Sequence, residues 1–400
     1  MKILIVSQYF WPEEFRVNDL ALDLVKRGHE VTVLTGNPNY PKGRFYSGYG
    51  FRFRVEYYQG IKIFRVPIIA RRQNSFTLTL NYLSFVLSGS IFALFYNTKF
   101  DKIISVIVSP ITAAYPAIVY KMRYKKQLYL WVQDLWPESV SAAGKMNSPF
   151  LIKLLTIMVK NIYKKCDRIL VQSEAFIPSV KEKGVTDEQI RYVPNWAEDL
   201  YSNNFNISKE KYQNLMPGGF KVMFAGNIGE AQDFNSIIKA AEITKQFSEI
   251  KWVIVGDGRK KSWVESEIIR LGLQKTVFLL GRYPVPEMPE FFVHADVMLL
   301  SLKNVDIFSM TIPTKVQSYM AFGKPIAGML NGVGAKIIRD ADCGYVCDAA
   351  NYIDLANNII EAFHAKGNVL SQKGENGKKY YNQYFSKKVI IDNLIDVLQE

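Results

Sequence analysis

The chain reads as an α/β protein built from two Rossmann-like, doubly wound domains that face a central cleft. Three observations predict this. Short apolar runs of strand length alternate with helical stretches through both halves. The alternation pauses once, near residues 190–219, and then resumes. At 400 residues the chain exceeds what one ordinary hydrophobic core organises.

The first half opens on the apolar run Lys2 to Ser7, followed by a loop with Trp11-Pro12. Asn18 is placed to cap a helix whose apolar stripe is Leu20, Ala21, Leu24 and Val25, and Gly28 closes it. Further strands are predicted at Glu30 to Thr35, Ile61 to Val66, Lys102 to Val108, Gln127 to Val132 and Arg168 to Gln172. Phe76 to Tyr96 approaches membrane-spanning length, but Asn81, Gly89 and several Ser and Thr point to a buried or interfacial helix instead. The polar stretch Asn203 to Gly219 reads as the inter-domain linker. The second half then places strands at Lys221 to Ala225, Trp252 to Gly256, Val277 to Leu280, Val297 to Leu300 and Pro325 to Ala327. Helical spacing returns from Ser386 to Glu400, with Val389, Ile390, Leu394, Ile395 and Leu398 on one stripe. The domains are expected at 1–197 and 198–377. Successive doubly wound halves put ligands at the carboxyl ends of their strands.

Composition narrows the function. Hydrophobic residues make up 48% and charged residues 22%, the balance of a folded protein. Three cysteines without a CxxC pair suit a reducing cytosol, and three histidines make a His-based metal site improbable. Residues 1–20 lack the pattern of a signal peptide. The formal charge of +13 gathers at Arg71-Arg72, Arg123 to Lys126 and Lys160 to Lys165, which suits an anionic membrane surface or a phosphate-bearing substrate. No zinc-finger, RRM or helix-turn-helix signature supports nucleic acid as the partner. Aromatics interleaved through Tyr40 to Tyr58 suggest either a platform for an acceptor sugar or a packed surface.

Three glycine-rich turns could admit a phosphate to backbone N–H groups: Ala225-Gly226-Asn227-Ile228-Gly229, Val255-Gly256-Asp257-Gly258 and Ala321-Phe322-Gly323-Lys324-Pro325. None matches GxGxxG or a Walker A loop, which argues against a dinucleotide enzyme or an NTPase. Asp257 lacks the acidic partners that a divalent cation needs.

These turns lie in a larger order. Arg27-Gly28-His29-Glu30-Val31-Thr32-Val33-Leu34-Thr35 is followed by Val193-Pro194-Asn195, then by the Gly226 and Gly256 turns. Pro313-Thr314-Lys315 and Tyr319-Met320-Ala321-Phe322-Gly323-Lys324-Pro325 complete it. Across essentially the whole chain this resembles the family 4 glycosyltransferases. Asn37-Pro38-Asn39-Tyr40-Pro41, Asp134-Leu135-Trp136-Pro137-Glu138 and Lys315-Val316-Gln317-Ser318-Tyr319 are similar to the branch of N-acetyl-L-fucosamine (L-fucosamine) transferases of bacterial O-antigen and capsule assembly.

The resemblance implies a GT-B fold, a nucleotide-sugar donor on the C-terminal domain, an acceptor on the N-terminal domain, retention of anomeric configuration and no catalytic metal. It implies that the tail 378–400 packs back on the N-terminal domain. Donor contacts are expected from Gly226, Asn227, Gly229, Gln232, Gly256, Lys303, Ser309, Thr314, Gln317 and Ser318. The chain departs from the family where many members carry two glutamates eight residues apart, since Met310 and Ser318 stand there. Gln317 or Ser318 would then hold the ribose more weakly. Asn227 to Asp233 also lacks the family's basic residues, so Lys315 and Lys303 would supply the charge for the leaving phosphate.

Asp134 would accept the acceptor hydroxyl's proton or orient the sugar, unless it only caps the helix after Trp136-Pro137. Lys315, at a helix start, would hold the diphosphate, with a solvated surface lysine as the alternative. Arg16 and Asn18 lie in the loop after the first strand and would meet an acceptor or donor phosphate, although Arg16 equally suits a structural ion pair. Glu138 and His294 read as structural. The acceptor implied is a lipid-linked oligosaccharide at the inner face of the bacterial inner membrane. Two alternatives remain: a non-catalytic GT-B partner subunit, and a GT-B UDP-sugar 2-epimerase.

Overall fold

The computed structural model describes residues 1–72, 74–142, 148–202, 207–208, 210–365 and 367–400. Of the expected linker 203–219, residues 203–206 and 209 lie outside the described residues. The chain divides into two compact units, Met1–Pro194 with Ile391–Glu400, and Asn195–Ile390.

The first unit holds eight strands: β1 (Lys2–Val6), β2 (Glu30–Gly36), β3 (Arg54–Tyr58), β4 (Ile61–Val66), β5 (Lys102–Ile107), β6 (Gln127–Val132), β7 (Arg168–Val171) and β8 (Ile190–Tyr192). They run in the order β3-β4-β2-β1-β5-β6-β7-β8. Every pairing is parallel except β3 with β4. Central strands such as β1, buried from Ile3 to Val6, read as continuous apolar runs because helices cover both faces of a parallel sheet. β3 is a strand that the sequence reading of Tyr40 to Tyr58 did not include. Residues 54–58 form an antiparallel edge strand on β4, and their half-buried, alternating side chains hide that strand from an apolar-run search.

Helix α1 (Arg16–Lys26) buries Val17, Leu20, Ala21 and Leu24, the stripe that its spacing predicts. It starts earlier than expected: Phe15 holds the N-cap position with no side-chain cap, and Asn18 sits inside the first turn. Helix α2 (Ser75–Phe95) is capped by Asn74, whose side chain accepts a 2.8 Å hydrogen bond from the Thr77 N–H. It buries only Asn81, Phe85, Gly89 and Ala93, and its outer side leaves Phe76, Leu83, Leu87, Ile91, Leu94 and Phe95 exposed. By length and composition it is apolar enough to cross a membrane.

The second unit holds β9 (Phe220–Ala225), β10 (Ile250–Val255), β11 (Val277–Gly281), β12 (Val297–Ser301), β13 (Ile326–Met329) and β14 (Gly344–Cys347). They form a six-stranded parallel sheet in the order β11-β10-β9-β12-β13-β14. Phe224, Trp252 and Ile254 fill its core, and the Trp252 indole N–H donates 3.0 Å to the Thr244 hydroxyl. The last helix, Lys387–Gln399, carries the chain back to the first unit, where Ile391, Leu394 and Leu398 are buried. Arg27 meets Asp392 there, and Arg191 meets Glu400 at 2.6 Å.

In each sheet the strand order reverses once, between β1 and β5 in the first and between β9 and β12 in the second. Loops leaving the carboxyl ends at such a reversal diverge to opposite faces and open a crevice.

Candidate active site

Register builds the second unit's crevice. Ala225 pairs with Val255 at the ends of β9 and β10, so Gly226 and Gly256 emerge side by side. The Gly226 N–H donates 2.8 Å to the Val255 carbonyl, and the Ile228 N–H donates 2.8 Å to the Asp257 carbonyl. A Cβ on Gly256 would lie 1.8 Å from the Gly226 oxygen, at a φ of +155°. Only glycine allows two turns to close this tightly.

The helix Thr314–Phe322 begins against this turn and brings Lys315 with it. The Lys315 Nζ lies 3.7 Å from the centroid of the Phe224 ring and has no hydrogen-bond partner among the described residues. A Cβ on Gly226 would be 2.9 Å from both Nζ and Cε of Lys315, so the missing side chain of Gly226 is what makes room for the ammonium. Burial lowers its pKa to about 7. The ring's negative face holds the charge in part. A buried cation without a counter-ion is costly unless a ligand supplies one.

Beside it the Gly229 turn carries an exposed clamp. The Glu230 carboxylate takes the Lys260 ammonium at 2.5 Å and the Lys303 ammonium at 2.7 Å. The two lysines, Lys260 first, hold its pKa down at about 2. These residues, with Asp233, Asn235 and Trp263, line a pocket of about 330 Å³. Gln232 accepts from the Gly229 N–H at 3.2 Å, and the Lys303 N–H donates 2.9 Å to the Ala231 carbonyl, which ties the loop after β12 to this turn.

The first unit's crevice holds aromatic and carboxylate groups. Asp134 lies two residues beyond β6, and burial, with the Glu138 charge adding, pushes its pKa up to about 6. Tyr82 of α2 lies within electrostatic reach of both Asp134 and Arg71, and its own pKa is raised by burial first. Glu13, 2% exposed, accepts from the Asn39 N–H at 2.8 Å and the Tyr40 N–H at 2.6 Å through one oxygen. Burial nevertheless lifts it to about 7. Glu138 is structural as expected: it takes Lys183 at 2.5 Å and the Ser179 hydroxyl at 2.6 Å.

Comparison with known proteins adds the family. Residues 14–196 match the glycosyl transferase 4-like domain, and residues 207–380 match the glycosyl transferases group 1 family. The two matches adjoin and together take in nearly the whole chain. The chain is a GT-B glycosyltransferase. Its relatives include WcaI of Escherichia coli (strain K12), named for glycosyl transfer in colanic acid biosynthesis and 25% identical over 81% of this chain and 82% of its own length. WbjE of Pseudomonas aeruginosa, named as a glycosyltransferase, is 27% identical over 62% of each chain. Among solved structures, the sucrose-phosphate synthase of Thermosynechococcus elongatus shares the fold at a TM-score of 0.76 and 14% identity, covering 100% of this chain and 98% of its own. HepE of Anabaena, solved with UDP, matches at 0.70 and 15%, covering 100% of both.

In the glycosyltransferase, Gly226, Gly229, Gln232, Gly256 and Lys303 gather around the turns after β9, β10 and β12, and Asn227 is exposed among them. Thr314 and Lys315 stand at the start of their helix. Ser309 packs by its backbone: its carbonyl occupies the space a Gly332 Cβ would need. Three of the expected residues have partners within the fold. Gln317 is fully buried and its amide nitrogen donates 2.5 Å to the Asn195 carbonyl, while its Oε1 has no hydrogen-bond partner among the described residues. Asn18 braces the loop after β1, accepting from the Trp11 N–H at 2.9 Å and donating one amide N–H at 2.7 Å to the Glu13 carbonyl, which leaves its second N–H uncommitted by those two bonds. Lys303 is paired with Glu230. Arg16 lies 3.7 Å from Asp19. Ser318 donates 3.1 Å to the Thr314 carbonyl and stands 3.4 Å from the Glu198 carboxylate, an acid that sequence reasoning missed. Glu13, Glu230 and Lys260 were missed as well. The legible signal for Lys260 is its position directly after the Gly256 turn; nothing local marks Glu198, which is 120 residues from its partner.

Proposed function

We propose that the enzyme binds a uridine diphosphate sugar on its second unit and transfers the sugar, with retention and without a metal, to a lipid-linked oligosaccharide. One observation carries the donor reading: a buried, unpartnered ammonium at the start of a helix, packed against a glycine turn. Helix N-terminal N–H groups favour an anion, and a diphosphate bound there would give that ammonium a counter-charge. The same contact stabilises the diphosphate as it leaves. Asp134, with its raised pKa, orients the acceptor hydroxyl and takes its proton.

The relatives support the wider setting. WcaI is named for colanic acid biosynthesis, HepE was solved with UDP and with UDP-glucose, and WaaG, a structural neighbour at TM-score 0.68, is a glycosyltransferase of lipopolysaccharide biosynthesis. We place the enzyme at the inner face of the bacterial inner membrane as a peripheral protein, with N-acetyl-L-fucosamine as donor sugar and an O-antigen or capsular intermediate as acceptor. The basic clusters and the apolar outer face of α2 support that placement.

The test is a panel of UDP- and GDP-sugars scored by slow donor hydrolysis in EDTA. Release of UDP with a preference for N-acetyl-L-fucosamine, as the α or β anomer of the donor, is expected. Hydrolysis of no donor, or a strict need for Mg²⁺ or Mn²⁺, overturns the reading.

A further inference from the structure

An apolar groove of about 450 Å³ lies in the first unit, between the segment after β2 and the segment that leads into α2. This is within the range of about 300–1,000 Å³ typical of small-ligand sites. Phe45, Phe51, Ile68 and Ile69 form its walls, and Arg44 and Arg72 stand at its rim. The walls are held rather than loose. The Arg72 N–H donates 2.9 Å to the Gly43 carbonyl, the Ile69 N–H donates 2.9 Å to the Ser84 hydroxyl, and the Ile69 carbonyl accepts from Asn81 at 2.6 Å. Arg72 adopts a φ of +41°, a left-handed conformation that a non-glycine residue keeps where surrounding contacts impose it.

Two properties of the groove point to its ligand. It is apolar and open, with Phe51 68% exposed, and its lining ends at Thr77 in the first turn of α2, next in sequence to the exposed Phe76, from which Leu83, Leu87 and Leu94 follow at helical spacing on the exposed apolar face. Isolated exposed apolar side chains are ordinary, but a contiguous series is a mark of an interaction surface. The rim is cationic: both arginine side chains are exposed, and neither makes a hydrogen bond or ion pair among the described residues. Planar guanidinium groups pair with phosphate through two parallel N–H bonds. A ligand that fits both properties has one hydrocarbon chain and a phosphate head.

We propose that this groove holds the lipid end of the acceptor: the chain lies along Phe45, Phe51 and Ile69, and its phosphate or diphosphate meets Arg44 and Arg72. The inference rests on the reading of the acceptor as lipid-linked. It gives the apolar outer face of α2 a purpose, since a chain passing from the bilayer into the groove stays out of water along its whole path. It also sets a direction for the acceptor. The rim connects through Arg71, whose N–H donates 3.0 Å to Asn39 and whose guanidinium lies 5.1 Å over the Tyr40 ring, to Tyr82 and so to Asp134. A sugar attached to the head would extend along that line.

Calorimetry with saturating UDP, which fills any diphosphate site on the second unit, tests this with three probes below their aggregation limits: farnesyl diphosphate, farnesol and inorganic pyrophosphate. Farnesyl diphosphate is expected to bind at least tenfold more tightly than either of the others. Arg44→Ala with Arg72→Ala, and separately Phe51→Asp, should each weaken it tenfold or more while UDP affinity stays unchanged, which also shows that each variant is folded. Equal binding of pyrophosphate and farnesyl diphosphate, no binding of farnesyl diphosphate, or the same affinity in every variant overturns the groove. Absence of UDP binding counts against the transferase reading instead, and the farnesyl diphosphate titrations then still decide the groove.

Discussion

The ammonium of Lys315 rests 3.7 Å from the centre of the Phe224 ring, buried and with no hydrogen-bond partner among the described residues. An aromatic face offsets only part of the desolvation cost, so burial leaves the lysine poised between its charged and neutral forms near pH 7. A bound diphosphate favours the charged form. Binding above pH 7 must therefore take up a proton, and UDP affinity should fall by up to tenfold per pH unit from about pH 7 to pH 9. In Lys315→Met the slope should vanish, with turnover lower by roughly 10²–10³. Titration of UDP at several pH values checks this; an unchanged slope in the variant assigns the proton elsewhere.

Asp134 sits with its pKa raised to about 6, so its basic form accumulates as pH climbs through that value. The rate at saturating donor should rise over the same range. Asp134→Asn keeps the shape but cannot accept the proton, and it should reduce turnover about 10²-fold while leaving UDP affinity and melting temperature nearly unchanged. Normal specific activity with a large loss of stability would show that the residue caps a helix instead.

Glu230 competes with the donor for Lys260 and Lys303. Glu230→Gln releases both ammonium groups, and UDP affinity should rise a few-fold at low salt, with the gain shrinking as salt screens it. Fluorescence titration at 20 mM and 300 mM salt (about a Debye length of 20 Å against 6 Å) reads the effect. A fall in affinity would mean that the carboxylate itself touches the donor.

Glu13 is held in the protonated form by burial, with a folded-state pKa of about 7 against an ordinary 4.5. A carboxyl raised in this way binds more protons folded than unfolded between those two values. Stability is fully present below the lower value and falls as pH climbs toward the upper one, by a few kcal/mol at most. Glu13→Gln can still accept both backbone N–H groups and should lose this slope. Denaturation at pH 5 and pH 8 compares them; parallel pH profiles would exclude Glu13 as the source.

Membrane attachment should follow from α2 and the basic clusters together. Each Lys or Arg near an anionic leaflet contributes about 1 kcal/mol, and the apolar face adds a contribution that salt does not screen. Co-sedimentation should favour anionic liposomes and be reduced, not abolished, by high salt. Replacing Leu83 and Leu87 with Ser should make binding fully salt-reversible. Recovery of the protein in the supernatant with every vesicle would defeat the placement.

The sequence by itself determined the two doubly wound sheets, because strands buried on both faces must be written as continuous apolar runs. Gln127 to Val132 stands out on that ground, and Glu30 to Thr35 by its alternation. It also determined the glycine turns, since only residues without a Cβ let the Gly226 and Gly256 backbones meet. It could not show the edge strand Arg54–Tyr58, whose side chains are half exposed, or the true start of α1, which has no side-chain cap to mark it. Partnership was left to tertiary structure. Gln317 was set against Asn195, Ser318 beside Glu198, and Lys303 on Glu230, across separations of 122, 120 and 73 residues. At such distances a polar residue's neighbour depends on how strands register and where loops land, so a chain can state which groups it carries while only its packing decides which are already satisfied and which, like Lys315, still lack a counter-charge.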